Sequence, residues 1–284
     1  MPRMDDSYAR TLWTVIEPVH VVTYFSAECL QAHKDVGLKG FWMGYFGGRA
    51  APMGAASAGV VDATFYVFEP ERVRRAVPDA WSYASPEDIL RSREAAAAAA
   101  LRRHAPIVDE IAPKAVPLLR RVAEAADAPG RPLFCANRDL PVPDDDVAAL
   151  WLATTVLREH RGEGHLMLLT AEGLDGPEAS VLSLAVAGDS IDKLTVTRGW
   201  SAERLRAAVA ALAGRGLLNA DGTATEEGRV FRRRIEERTD ALAAPPYRVL
   251  DEPEELFALL EPVARAVAAS GDVPFPNPIG LPRP

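Results

Sequence analysis

The 284-residue chain has few reactive side chains and few obvious anchors: two cysteines, five histidines and no long apolar run. Cys29 and Cys135 lie far apart and in no CxxC setting, so they are expected to be reduced thiols of a cytosolic protein. The residues after Met1 show no basic-then-apolar leader pattern. The longest small-residue run, Ala95 to Ala100, is far below the ~20 residues that cross a bilayer. Positive charge is also in deficit, with 32 basic against 40 acidic residues and a net charge of −8. That balance argues against a protein whose main task is to hold phosphate backbones or an acidic membrane surface. No GxGxxG, Walker, GxSxG or HExxH pattern occurs, so nucleotide-loop, serine-hydrolase and zinc-protease chemistries have no motif to rest on. His160 and His165 are five apart across two glycines, which is no standard zinc spacing. The expectation is therefore no metal and no cofactor.

What is present is an ordinary globular composition, 48% apolar and 25% charged. Arginine greatly outnumbers lysine, which reflects coding composition rather than chemistry. Leu12, Val15, Ile16, Val19, Val22 and Phe25 recur at helical spacing, which predicts a helix from Tyr8 to Val36 kinked at Pro18. Thr64 to Phe68 suits a short strand or a helix end, and Glu69-Pro70 opens a helix through Val77. Ser85-Pro86-Glu87-Asp88 opens one to Arg103, with a cap, a proline and acids in its first turn. Pro106, Pro113 and Pro117 punctuate the middle, with a helix expected only from Leu118 to Ala126. A helix from Asp144–Asp146 is expected to break at Gly162. Ser201 caps Ala202–Ala213, Thr225 opens an arginine-rich helix to Leu242, and residues 271–284 hold five prolines that predict an extended tail.

Gly37-Leu38-Lys39-Gly40 and Gly173-Leu174-Asp175-Gly176 share a pattern. Glu71-Arg72-Val73-Arg74-Arg75-Ala76-Val77 and Glu203-Arg204-Leu205-Arg206-Ala207-Ala208-Val209 follow them at similar distances. The repeat suggests a duplicated helical unit, although arginine- and alanine-rich helices also resemble one another by chance. From Trp200 to Leu242, the capped helix, Arg-Gly-Leu-Leu, short turn and Thr-x-x-Gly entry resemble the winged-helix module of MarR-type regulators. Gly44-Tyr45-Phe46-Gly47-Gly48-Arg49-Ala50-Ala51-Pro52, Gly130-Arg131-Pro132-Leu133-Phe134 and Leu157-Arg158-Glu159-His160-Arg161-Gly162-Glu163-Gly164-His165 resemble a poorly characterised actinobacterial helix-turn-helix family. These resemblances imply a mainly α fold of two winged-helix-like units in tandem, an intrachain pseudo-dimer with small β-wings. They also imply a ligand cavity between the units. The expected domains are a degenerate N-terminal unit (1–105), a Pro-rich connector (106–145), a C-terminal unit (146–243) and a helical, Pro-rich tail (244–284).

DNA reading needs polar, basic side chains on the recognition helix and wing. Here Arg204 and Arg206 sit beside Glu203 among Ala207, Ala208, Ala210 and Ala211, and the wing Asn219–Thr225 has no basic residue. DNA is therefore not the expected partner, despite Arg232-Arg233-Arg234. Chemistry is expected inside instead. The glycines at 162 and 164 would turn the chain so that Glu159, His160, Arg161, Glu163 and His165 meet, supplying proton carriers, an orienting carboxylate and an anion-holding guanidinium. The plainer alternative is a helix turn whose polar groups cap and pair. His20 and Tyr24 share a face of the first helix with Glu17, either as core or as substrate-positioning groups. Trp42, Tyr45, Phe46 and Arg49 would give flat walls and one cation, or else a packed helix. The leading expectation is a cytoplasmic small-molecule protein. It acts as a cofactor-independent acid–base enzyme or a sequestering protein of bacterial specialised metabolism, and its ligand is aromatic or anionic. The alternatives are a ligand-responsive MarR-like regulator and an interaction protein whose proline tail docks a partner.

Overall fold

Caps, prolines and glycines cut this alanine- and leucine-rich chain into helices. The computed structural model describes residues 7–274. The N-terminal part contains α1 (Ser7–Phe25), α2 (Ala27–Asp35), α3 (Gly40–Ala50), α4 (Ala58–Thr64), α5 (Pro70–Arg74), α6 (Ala80–Tyr83) and α7 (Pro86–His104). There follow α8 (Val108–Glu124), α9 (Pro132–Arg138), α10 (Asp146–Ala171), α11 (Gly176–Ala187) and α12 (Lys193–Thr197). The last three are α13 (Ala202–Gly214), α14 (Glu226–Ala243) and α15 (Pro253–Ala269). No strand forms among the described residues; Leu218 and Ala224 make one antiparallel bridge where a wing was expected. The molecule is mainly helical.

The predicted caps act as such. Ser85 Oγ accepts the Asp88 N–H, Ser201 Oγ the Arg204 N–H and Thr225 Oγ1 the Gly228 N–H. The first long helix is shorter than expected, because Ser26 adopts extended backbone and starts α2. Pro18 stays inside α1. Thr64–Phe68 is a helix end and turn, and the helix opened by Pro70 stops at Arg74.

Two larger corrections concern the middle of the chain. The stretch expected as a connector carries α8, with Val108, Ile111, Ala112, Ala115, Val116, Leu119, Val122 and Ala123 buried along one stripe. Pro113 and Pro117 lie inside it on the exposed face, so the carbonyls they leave unpaired, those of Asp109 and Pro113, belong to residues that meet water. Nor does the chain break at Gly162: α10 runs unbroken for 26 residues. The prolines of the tail from residue 276 onward lie outside the described residues.

α10 is the spine. Its first half packs with α1, α7, α8 and α15 into the largest core, in which Trp151 is fully buried. Its last turns join α11, α13 and α14 in a second core around Leu182, Leu212 and Ile235. A third core, with Phe46, Phe65, Phe68 and Ile89, gathers α3 to α6 and the start of α7.

The repeated Gly-Leu-x-Gly has a local explanation. After α2 and after α10, a left-handed glycine (Gly37, Gly173) lets a buried leucine (Leu38, Leu174) return its N–H to a carbonyl five residues back. Gly216-Leu217 closes α13 the same way, so the motif is a helix stop used three times. The helices that follow the first two differ: α5 has five residues and α13 has thirteen.

Candidate functional site

On α10, Trp151, Thr155 and Glu159 follow one another at intervals of four and therefore share a face. On α1, His20 and Tyr24 turn towards that face. With Thr23, Gly48 and Arg49 of α3, Arg93 of α7 and Asn137 of α9, these side chains line a small chamber. About 10 Å³ is open to the centre of a water molecule, room for about one water.

Hydrogen bonds fix the chamber's protons. Thr155 gives its single hydroxyl proton to the Trp151 carbonyl at 2.8 Å, so it can only accept from His20 Nδ1 at 2.9 Å. His20 therefore carries its proton on Nδ1, and its bare Nε2 accepts the Tyr24 hydroxyl proton at 3.0 Å. Burial, reinforced by Arg158, Arg49 and Arg93, holds the His20 pKa well below its ordinary value, so the ring is neutral at neutral pH. Burial likewise raises that of Tyr24. The imidazole lies nearly parallel to the Trp151 ring, at 12°.

Beside this relay is an alternating ion network. Arg49 grips Glu159 through two bonds of 2.9 Å, and Arg158 bridges Glu159 at 2.9 Å and Glu17 at 3.3 Å. Trp13 Nε1 donates to Glu17 at 3.1 Å. Burial opposes the charge on Glu159, which is only 1% exposed, but Arg158 and Arg49 outweigh it and hold the carboxyl far below the usual range. Arg93 is 3% exposed and differs from its neighbours. It donates to the Gly48 carbonyl at 2.9 Å and to Asn137 Oδ1 at 3.1 Å, lies over Trp151, and has no carboxylate in contact among the described residues. Its Nε has no partner.

The straight course of α10 disperses the residues expected to converge near Gly162. Glu159 faces the chamber. His160 packs its ring edge-on against Phe134, and its Nε2 has no partner. Glu163 accepts the Leu133 and Phe134 N–H groups at 2.9 and 2.8 Å, while burial pushes its pKa up to about 7. Arg161 reaches Glu236 and Asp240 of α14 and covers Trp13. His165 is bonded to Thr239, also on α14, at 2.9 Å.

Trp42 and Phe46 stack in the aromatic core, where Arg72 caps the Trp42 ring. Tyr45 is one ring removed from the chamber, touching Tyr24 at a centroid distance of 4.7 Å. Sequence reasoning thus reached four lining residues: His20, Tyr24, Arg49 and Glu159. It missed Thr155, Arg93 and Asn137. The signal for Arg93 was present, because Ile89, Arg93, Ala97 and Leu101 form an i, i+4 stripe with one charge on an otherwise apolar face.

The second surface of interest is α13. It buries Leu205, Ala208 and Leu212 and exposes Glu203, Arg204, Arg206, Ala207, Ala210 and Ala211. Arg204 is paired with Asp175 at 3.3 Å. The turn that stands in for a wing is tipped by Asp221, whose carboxylate accepts both the backbone N–H and the hydroxyl of Thr223. On α14, Arg232 is held by Glu236, and Arg234 and Arg238 by Glu172.

These features define a helical protein with a capped four-helix segment at α11–α14 and a charged interior chamber. The chain belongs to a helix-turn-helix family, whose model matches residues 9–274. No curated protein and no solved structure matches it. Among the described residues no helix is long and apolar enough to cross a membrane. No three His, Cys, Asp or Glu side chains there are grouped to hold a metal ion.

Proposed function

We propose that the chain is a small-molecule-binding protein on a helix-turn-helix scaffold, and that its interior chamber carries the function. The observation behind this reading is the Thr155–His20–Tyr24 relay facing the Arg49–Glu159 fork in a space that apolar side chains do not fill. A helical core of this size has no structural need for so many buried polar groups, because each must be paired to be tolerated. In this reading residues 146–243 are a winged-helix-like unit with a reduced wing, and residues 1–105 are its degenerate counterpart. The protein either sequesters its ligand or turns it over by acid–base chemistry without a cofactor. If it turns the ligand over, His20 Nε2 takes the proton and Tyr24 relays it. His160, His165 and Glu163 hold neighbouring helices together.

Native mass spectrometry of the purified protein tests the reading. A bound small molecule should be present in wild type and lost in Tyr24→Phe and in His20→Gln. Tyr24→Phe should cost only about 1 kcal/mol in stability, the value of one hydrogen bond. Retention of the ligand by both variants would remove the chamber from consideration.

Family membership favours a second reading, a ligand-responsive regulator that binds DNA through α13. A duplex-DNA titration separates the two.

A further inference from the structure

We infer that the chamber is an anion site in which the Arg93 guanidinium receives a compact monoanion, the carboxylate head of a small acid. The inference rests on the chamber reading above and gives its ligand a chemical class.

The argument is one of charge and donors. Three guanidiniums stand around the chamber with two buried carboxylates, Glu17 and Glu159: Arg93 is buried, and Arg49 and Arg158 are largely so, at 12% and 14% side-chain exposure. Arg49 and Arg158 use up both carboxylates, and His20 is neutral. Of the three, Arg93 is the guanidinium that no carboxylate contacts among the described residues; Arg198, which lies over Phe68, adds a further positive charge near Arg49 and Arg158. Glu94, the next residue on α7, acts on it only at a distance and makes no ion pair with it. A guanidinium removed from water without a counter-ion is costly, and burial depresses the Arg93 pKa to about 10.

Its bonds describe what is missing. Each terminal nitrogen gives one of its two N–H groups to a neutral acceptor, the Gly48 carbonyl or Asn137 Oδ1, while Nε–H is unpartnered among the described residues. Asn137 is held in this orientation because its amide nitrogen donates to the Leu133 carbonyl at 2.8 Å. The other walls include Trp151, which gives a flat face, Tyr24, whose proton is committed to His20, and the Glu159 carboxylate, whose charge Arg49 and Arg158 offset. A planar carboxylate suits such a fork. One guanidinium without a contacting carboxylate suits a monoanion better than a phosphate or sulfate dianion. Because the chamber holds about one water, the head must be small and the side chains around it must yield to seat it.

The test uses the full chain in a buffer of bulky anions at constant ionic strength. Thermal unfolding is followed while formate, acetate, chloride or sulfate replaces the bulky anion. Formate and acetate should raise Tm in a saturable, concentration-dependent way, and sulfate should not. Arg93→Met should remove the response, and Arg93→Lys, which lacks Nε, should weaken apparent affinity about tenfold or more. A wild-type Tm indifferent to all four anions overturns the inference, as does a response retained in Arg93→Met. A response to chloride as strong as that to formate assigns the charge to a simple counter-ion and overturns the carboxylate class.

If Arg93→Met does not fold, line broadening of ¹³C-formate by the wild-type protein decides the matter, and unbroadened resonances overturn the site. Failure here with a neutral compound still lost from Tyr24→Phe sinks only the anion assignment. Failure together with a compound retained by Tyr24→Phe and His20→Gln sinks the chamber reading as well.

Discussion

Arg49 shows how one residue changes meaning once its partner is known. In the sequence it is the lone cation of an aromatic, glycine-rich stretch and invites an anionic ligand. In the structure both arms of its guanidinium hold Glu159. Removing one member of a buried pair leaves an uncompensated charge, so Arg49→Ala should lower the unfolding free energy by about 3–5 kcal/mol in urea titration. A loss under about 1 kcal/mol, the range of exposed pairs, would show that the fork is dispensable. The histidines give a second residue-scale expectation. Burial lowers the pKa of His33, His160 and His165 to about 4 and holds that of His20 well below its ordinary value. Between about pH 6.5 and 4 the unfolded chain binds protons that the folded chain refuses, so stability present above 6.5 is lost as pH falls. Each group contributes up to about 1.4 kcal/mol per pH unit inside that window. Glu163, raised to about 7, acts in the opposite sense: its contribution is present below about 4.5 and fades as pH rises through 7. His104 is lowered as well, and Asp62 and Glu94 are raised like Glu163. The histidines, whose free values lie within the range, should make Tm fall between about pH 7.5 and 5, and a flat profile would show that these rings are not buried neutral. The His20–Tyr24 face was legible because helical spacing alone determines it. The convergence at His160 and His165 was not, because it depended on where the helix was assumed to stop.

At the scale of elements the informative errors concern proline and glycine. In the sequence Pro113 and Pro117 read as punctuation, yet they ride the wet face of α8, where the carbonyls they free are not stranded. The apolar stripe, Val108 through Ala123, was legible and outweighs them. Gly162 reads as a break in the sequence, yet α10 continues through it. A Cβ there would meet nothing nearer than the Glu159 carboxylate at 3.9 Å, and its φ is not in the left-handed region. Gly162→Ala should therefore stabilise the protein by about 0.5–1 kcal/mol, as in any helix interior, whereas destabilisation in thermal or urea melts would indicate that α10 bends there. Nothing in the structure explains why glycine occupies position 162. Gly44 and Gly48 behave differently. They form a shelf on α3 against which the buried His33 ring lies, and an added Cβ would fall 2.6 Å from its Nδ1 and 2.9 Å from its Nε2. Gly48→Ala should cost about 1–3 kcal/mol, with partial recovery when His33→Ala is added, because the clash rather than the backbone is responsible. If the cost persists in the double variant, the shelf does not act through His33. The glycine-rich stretch read as a pocket wall is thus largely a close helix crossing, and its Gly48 carbonyl serves the chamber by holding Arg93.

For the whole molecule, helical content and most helix starts were legible because caps and prolines act locally, at Ser85, Ser201 and Thr225 above all. The arrangement was not. Periodicity shows which face of a helix is buried and leaves its partner open, so α10 could not be identified as a spine shared by the largest core and the α11–α14 segment. The same gap between local and global bears on DNA. Membership of a helix-turn-helix family identifies an architecture, but binding depends on where charge is free. Affinity for a duplex rises with the number of phosphates neutralised by unpaired lysines and arginines. Around α13 and α14 the arginines are largely spent: Arg204 on Asp175, Arg232 on Glu236, Arg234 and Arg238 on Glu172, and Arg215 on the carbonyls of Glu172 and Gly173. Arg206 and Arg233 have no ion pair among the described residues, which leaves two strong contacts where a specific binder makes many. The turn where a wing would touch the backbone carries Asp221, and the whole chain is at −8. Fluorescence anisotropy with duplexes of about 30 base pairs from the flanking intergenic DNA should show no binding at micromolar protein near 0.15 M salt. Any binding at lower salt should be indifferent to sequence and should vanish steeply as salt is restored. Arg206→Ala should leave that residual signal indifferent to sequence as before. Sequence-selective binding at physiological salt, with Kd in the range of about 10⁻⁸ to 10⁻¹¹ M, would restore the regulator and make the chamber its sensor.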